Sequence, residues 1–182
     1  MLLTFIVATI MLFPEHNWQP HIAQGDHGRD LYAFKKTLGG AVPFRDYFWV
    51  YGPIMPYYYA CIFKLLGISI QSALVGEMLL KLLSSVLIYL ILNFFIHPAF
   101  SFIGALYFLA FTTPFTHTYC HIGGIACLLA MLYFFFCYRK SQRTIYIHLS
   151  FLSVFLLALT KINFGILNYI LLMICFLWSE KI

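Results

Sequence analysis

Charge is what this sequence has least of. Of its 182 residues only 9% are charged and 63% are hydrophobic, against roughly 25% charged in an ordinary soluble domain. A globule of this length in water still has to clothe itself in polar surface, so the scarcity excludes a soluble fold. Paired cysteines are missing as well. Cys61, Cys120, Cys127, Cys137 and Cys175 form no CxxC motif, and most lie in apolar runs, where they serve as small packers. Cys120 alone falls in a stretch expected to be a loop, between His117 and His121. That trio lacks a fourth ligand, so no metal site is expected there. Acids are scarcest of all: there are 6 Asp and Glu against 11 Lys and Arg. All three aspartates, Asp26, Asp30 and Asp46, lie between Gly25 and Pro53. The net charge of +5 is read as a topological signal, and no nucleic-acid partner is expected.

What is present is apolar helix. The pattern predicts an all-α polytopic membrane protein with about six transmembrane helices. Five of the spans are Ala73 to Ile96, Phe102 to Phe115, Ile122 to Tyr138, Ile145 to Leu159 and Phe164 to Trp178. Met1 to Phe13 is the other, short of the roughly 20 residues a span needs, which favours a helix that starts upstream of this sequence. Residues 1–182 read as a single membrane domain. Residues 14–72 form its external loop, expected to carry two interfacial helices. The first runs from Leu31 to Leu38, with Leu31, Phe34 and Leu38 on one face and Lys35 and Lys36 off it. Asp30 is expected to cap it, and Gly39 with Gly40 to end it. The second runs from Pro56 to Leu66 and stops at Gly67. Between them, Tyr47 to Trp49, Tyr51 and Tyr57 to Tyr59 suit the headgroup level of a bilayer.

Arg139, Lys140 and Arg143 fill a short turn that holds no acid, which places it in the cytoplasm. Counted back from there, the aspartate loop lies outside. Lys161, in a very short turn, comes to the same face as Asp26, and the two are expected to open into one outward-facing cavity. Lys161 either snorkels to the interface or holds a phosphate. Glu77 and Lys81 are four apart with the acid first, either as a self-neutralising pair inside a span or as functional intramembrane charges. Asp46 belongs to a turn with Arg45. Asp26 has no folding role in its flanking sequence and is the candidate for chemistry.

These residues resemble a known family. Asp26-x-Gly28, an amphipathic helix, then Gly40-Ala-Val-Pro43-Phe-Arg45-Asp46-Tyr-Phe, Tyr51-Gly52-Pro53 and Phe63-Lys-Leu-Leu-Gly67 are similar to the first external loop of the GT-C glycosyltransferases. The bacterial branch of protein mannosyltransferases and aminoarabinose transferases is nearest in pattern. Leu157-Ala-Leu-Thr160-Lys161-Ile-Asn163-Phe-Gly165 also resembles a turn of those proteins. The resemblance implies a polyprenyl-phosphate sugar donor, a lipid, glycan or protein acceptor, and transfer at the outer face of a bacterial inner membrane. It implies that Asp26 is the catalytic base, and that this chain covers roughly the leading half of a longer membrane module. His27 stands where relatives often carry a second acid, so a divalent cation beside Asp26 is left open as the one possible cofactor. Lys81 falls about where relatives carry an arginine.

The chemistry suits the inventory. An acceptor hydroxyl gains from a carboxylate that takes its proton, and a lipid phosphate leaving group needs preorganised cations. Lys161 and Arg45 are the first candidates for the phosphate, with Lys81 behind them and with Asp30 and Asp46 in the same substrate-binding loop. The alternatives from other classes are a non-catalytic truncated fragment or membrane assembly subunit, and a small-solute transporter whose helices Gly123, Gly124 and Gly165 would loosen.

Overall fold

A computed structural model describes residues 25–112 and 119–179 of the chain. Among these residues there are seven helices and no strand. They are α1 (Gly25–Leu38), α2 (Ile54–Leu66), α3 (Ile70–Leu92), α4 (Pro98–Thr112), α5 (Tyr119–Ser141), α6 (Thr144–Thr160) and α7 (Ile162–Ser179). Two of them, α3 and α5, are long and apolar enough to cross a membrane. The other apolar helices, α2, α4, α6 and α7, are shorter. Each expected span has a helix within a few residues of it, except Met1 to Phe13, which lies outside the described residues.

Very short connections fix the directions of the last three helices. Gln142 and Arg143 join α5 to α6, and Lys161 alone joins α6 to α7. Neighbours joined so tightly run antiparallel. The start of α5, the end of α6 and the start of α7 therefore meet at one end of the bundle. The basic turn with Arg139, Lys140 and Arg143 lies at the other end, roughly 30 Å away along α5 at 1.5 Å per residue.

The bundle carries small and hydroxylated side chains inside and large apolar ones outside. Ser84, Ser85, Ser101, Ala105, Ser150 and Ser153 are buried, while Leu83, Ile103, Phe155, Ile170 and Trp178 are exposed. Small residues let helix backbones approach, and their hydroxyls bond across the seam. Ser85 donates to the Ala105 carbonyl at 3.1 Å, and Ser150 donates to the Met131 carbonyl at 2.9 Å. Ser69 caps α3 by accepting the Ser72 N–H at 3.0 Å, which sets where that helix begins.

Glu77 and Lys81 sit inside this bundle, 2% and 5% exposed. Lys81 Nζ lies 2.8 Å from Glu77 Oε1 and donates to the Thr112 carbonyl at 3.0 Å. A carbonyl at the end of α4 carries the negative end of that helix's dipole. The ammonium thus joins an acid on its own helix to the end of the next one. This is the self-neutralising pair, held inside the bundle.

The loop end has its own aromatic core. Residues Asp30, Ala33, Phe34 and Thr37 of α1 are buried, the three- and four-residue spacing of one helical stripe. Phe34 stacks on Tyr59 of α2 with ring centroids 4.4 Å apart and meets Tyr119 of α5 edge-on at 5.4 Å. Trp49 and Phe63 close the cluster. Burying one such ring stabilises by about 1.5–3 kcal/mol, so these rings fasten α1 to the bundle. Of the aromatic run expected at the headgroup level, Phe48 and Tyr57 are exposed, whereas Trp49 and Tyr59 are core. Gly40, at φ 91°, provides the left-handed exit from α1.

Three local readings are corrected. The first helix starts at Gly25, not Leu31, so Asp30 is an interior residue of α1 and not its cap. Cys120 is buried within α5 and not in a loop. Asp26, for which no folding role was foreseen, is the first-turn acid of α1 and pairs with Arg29 three residues on.

Lys81→Met leaves the Glu77 carboxylate buried without its cation and is expected to destabilise the protein by about 3–5 kcal/mol. The double variant Glu77→Gln, Lys81→Met removes both charges and is expected to recover most of that. Thermal unfolding in detergent compares the three; a double variant no more stable than Lys81→Met would show that the charges are not balancing each other.

Candidate functional site

The loop between α1 and α2 folds back onto the end of α6 through Gly52. Its N–H donates to the Thr160 carbonyl at 3.0 Å, and a Cβ at this position would overlap the Leu159 carbonyl. No residue larger than glycine permits that approach. Trp49 Nε1 donates to the Gly52 carbonyl at 2.9 Å and shapes the turn. Tyr51, one residue before the contact, is thereby held over the junction of α6 and α7.

Tyr51 is the centre of the site. The Arg29 guanidinium lies 5.5 Å from the centroid of its ring, and Lys161 Nζ lies at the same distance. Each cation is attracted by the negative π-system of the ring. Arg29 in turn holds two acids. Its Nη1 is 3.0 Å from Asp26 Oδ1, and its Nη2 is 2.9 Å from Asp30 Oδ1. Trp49 packs on the same guanidinium at 5.9 Å.

The two carboxylates differ in setting. Asp30 is fully buried. Burial pushes its carboxyl above the ordinary value, and the Arg29 hydrogen bond and charge pull against that shift. Its second oxygen, Oδ2, has no hydrogen-bond partner. Asp26 is 60% exposed at its side chain, so it is open to solvent. Asp30 anchors Arg29, and Arg29 presents Asp26.

Lys161 is partly exposed and sits between aromatic rings, Tyr51 at 5.5 Å and Phe164 at 5.0 Å. Its Nζ is 2.7 Å from His121 Nε2. Burial draws its ammonium below the ordinary lysine range. No carboxylate among the described residues forms a salt bridge with it, so its charge is open to an anion.

Arg45 and Asp46 belong elsewhere. They pair with each other at 2.8 Å on an exposed turn, where Asp46 Oδ2 also accepts the Val42 N–H at 2.8 Å. The Arg45 bond, then the Val42 bond, lower the Asp46 carboxyl to about 2. This is the turn foreseen for the pair, and it does not bring them to Tyr51. Asp26 and Lys161 are joined through Arg29 and Tyr51. A cavity of about 220 Å³ lies between α2, α3, α5 and α6, lined by Thr160, Met55 and Leu83, among others, and by neither charged residue.

Arg29, Tyr51 and His121 were not singled out as site residues. Arg29 had a readable signal, the acids at positions 26 and 30 on either side of it along one helix. His121 had none, because its partner is 40 residues away. No group of three metal-ligating side chains occurs among the described residues. Compared with family models, curated proteins and solved structures, the chain matches none.

Two outcomes follow from this geometry. Asp46, held at about 2, supports its turn fully above about pH 4 and ceases to do so as pH falls through the folded value. Carbon chemical shifts of the carboxyl read this directly, and a midpoint at the ordinary carboxylate value would show that Arg45 is not bound. Gly52→Ala forces the loop off the Thr160 carbonyl and is expected to cost about 1–3 kcal/mol. It should also expose Trp49, read as a red shift in its fluorescence. Unchanged stability and emission would mean that the loop does not dock through Gly52.

Proposed function

We propose that this chain is the membrane module of a GT-C-like glycosyltransferase, moving a sugar from a polyprenyl-phosphate donor to a lipid, glycan or protein acceptor. In this reading the bundle provides about six spans, α1 and α2 lie at the interface, and the loop faces the outside of a bacterial inner membrane. The inverted burial of the bundle supports membrane embedding, because large exposed side chains are stable only against lipid. The basic turn at the far end supports the orientation.

One observation carries the reading: Arg29, which presents Asp26, and Lys161 share the Tyr51 ring although they come from opposite ends of the sequence. A carboxylate and an open cation held together at a bundle end match the two demands of glycosyl transfer. Asp26 takes the proton of the acceptor hydroxyl as its oxygen bonds to the anomeric carbon. The bond from that carbon to the phosphate oxygen breaks, and its electron pair leaves on the lipid phosphate. Lys161 meets the negative charge that develops there. Arg29 keeps Asp26 aimed. The transporter reading loses its strongest support, because Glu77 and Lys81 neutralise each other inside the bundle.

Transfer of labelled sugar from polyprenyl-phosphate donors, assayed in membranes that contain the protein, tests this. Asp26→Asn is expected to reduce transfer by about 10²–10⁴-fold at normal insertion. Undiminished transfer by that variant would exclude the base role, and solute flux indifferent to the change would favour a transporter.

A further inference from the structure

The acids of the described residues all pair near the loop or inside the bundle: Asp26 and Asp30 with Arg29, Asp46 with Arg45, and Glu77 with Lys81. None lies at the turn that joins α5 to α6, where Arg139, Lys140 and Arg143 follow one another closely. Lys140 and Arg143 are exposed, and neither forms a salt bridge with a carboxylate among the described residues. The rest of the turn is tied to itself. The Gln142 N–H donates to the Tyr138 carbonyl at 2.7 Å, Gln142 Nε2 donates to the Arg139 carbonyl at 3.2 Å, and Ser141 Oγ donates to the Cys137 carbonyl at 2.8 Å.

Lys140 is also attached to an apolar surface. Its Nζ lies 5.7 Å from the centroid of Phe94, just past the end of α3. Phe94 leans on Phe136 of α5 at 5.9 Å, and Phe95 meets the same ring edge-on at 5.1 Å. Phe95 and Ile96, 64% and 44% exposed, continue this surface outward. An ammonium at the rim of exposed apolar side chains suits both halves of an amphiphile. The cation meets a phosphate oxygen, and the rings beside it sit at the level where headgroup gives way to hydrocarbon. A soluble anion would use only the first half.

We propose that the α5–α6 turn binds a glycerophospholipid with a net negative headgroup, its phosphodiester held by Lys140 and Arg143 and its chains lying against Phe95 and Ile96. The inference needs the bundle to sit in a bilayer and does not depend on sugar transfer. Lys140 ends α5 and leans on the segment after α3, while Arg143 immediately precedes α6. One bound headgroup therefore ties the ends of three helices together. A zwitterionic headgroup brings a cation of its own to the same place and is held less well.

Thermal unfolding of the full chain, purified in dodecyl maltoside and supplied with one lipid at a time, tests this. Dioleoylphosphatidylglycerol is expected to raise the midpoint by about 4–8 °C when present at about thirty times its dissociation constant, and dioleoylphosphatidylcholine by clearly less. The double variant Lys140→Gln, Arg143→Gln is expected to lose the difference between the lipids. Lys35→Gln, Lys36→Gln removes the same charge from α1 and is expected to keep it.

Equal shifts with the two lipids in the unaltered chain would overturn the proposal. A difference that survives in Lys140→Gln, Arg143→Gln would overturn the turn as the site, and a difference lost in both double variants would show that net charge alone selects the lipid. Glycerophosphoglycerol, the same headgroup without chains, provides the last arm: if it stabilises as strongly as the lipid, the phosphate contact stands and the lipid is overturned as its source.

Discussion

The contact between the Gly52 N–H and the Thr160 carbonyl is the constraint on which the site depends. It is a single backbone hydrogen bond, worth about 1 kcal/mol in isolation, yet it fixes where Tyr51 stands. The aromatic core behind it does the energetic work, with Phe34 stacked on Tyr59 and edge-on to Tyr119. Packing of this kind holds the loop near the bundle, and the hydrogen bond decides its register. Without the register, Arg29 and Lys161 would have no ring in common. Energy and geometry are thus supplied by different parts of the loop.

The same division explains what could be read from the sequence. Helices announce themselves by periodic apolar residues over long stretches, so the helix order was legible, together with the stops at Gly40 and Gly67. The boundaries were less so. Lys35 and Lys36 drew attention to the amphipathic half of α1, and the acids of its first turns were read as loop. Asp30 looked like a cap because caps are where an aspartate before an apolar run usually sits. Its burial depends on Arg29 folding back over it, and local propensity does not reveal that pairing.

The site was legible only in part. Lys161 and Asp26 were picked out by helix parity and by the rarity of charge, and the structure brings Lys161 to the same ring as Arg29, the partner of Asp26. Arg45 and Asp46 were chosen on the same grounds of charge and proximity in sequence, but their mutual bond satisfies both and leaves them on the turn. Tyr51 was seen only as one of many aromatic residues, since nothing in its immediate neighbours distinguishes a ring in contact with two cations from a ring in lipid. His121 lay beyond any local rule, because its meaning comes from a partner in another hairpin.

The junction at Tyr51 also has a consequence for how the protein matures. Its acidic half leaves the ribosome first, and Lys161 arrives only after the five intervening helices α2 to α6 have been made. At roughly 5–20 residues per second, synthesis separates the two by on the order of ten seconds. During that interval Arg29 holds its two acids while Tyr51 lacks its second cation. Closure of the α6–α7 hairpin brings Thr160 to Gly52 and Lys161 to Tyr51 in one event. The junction at Tyr51 thus forms only once this hairpin has been made.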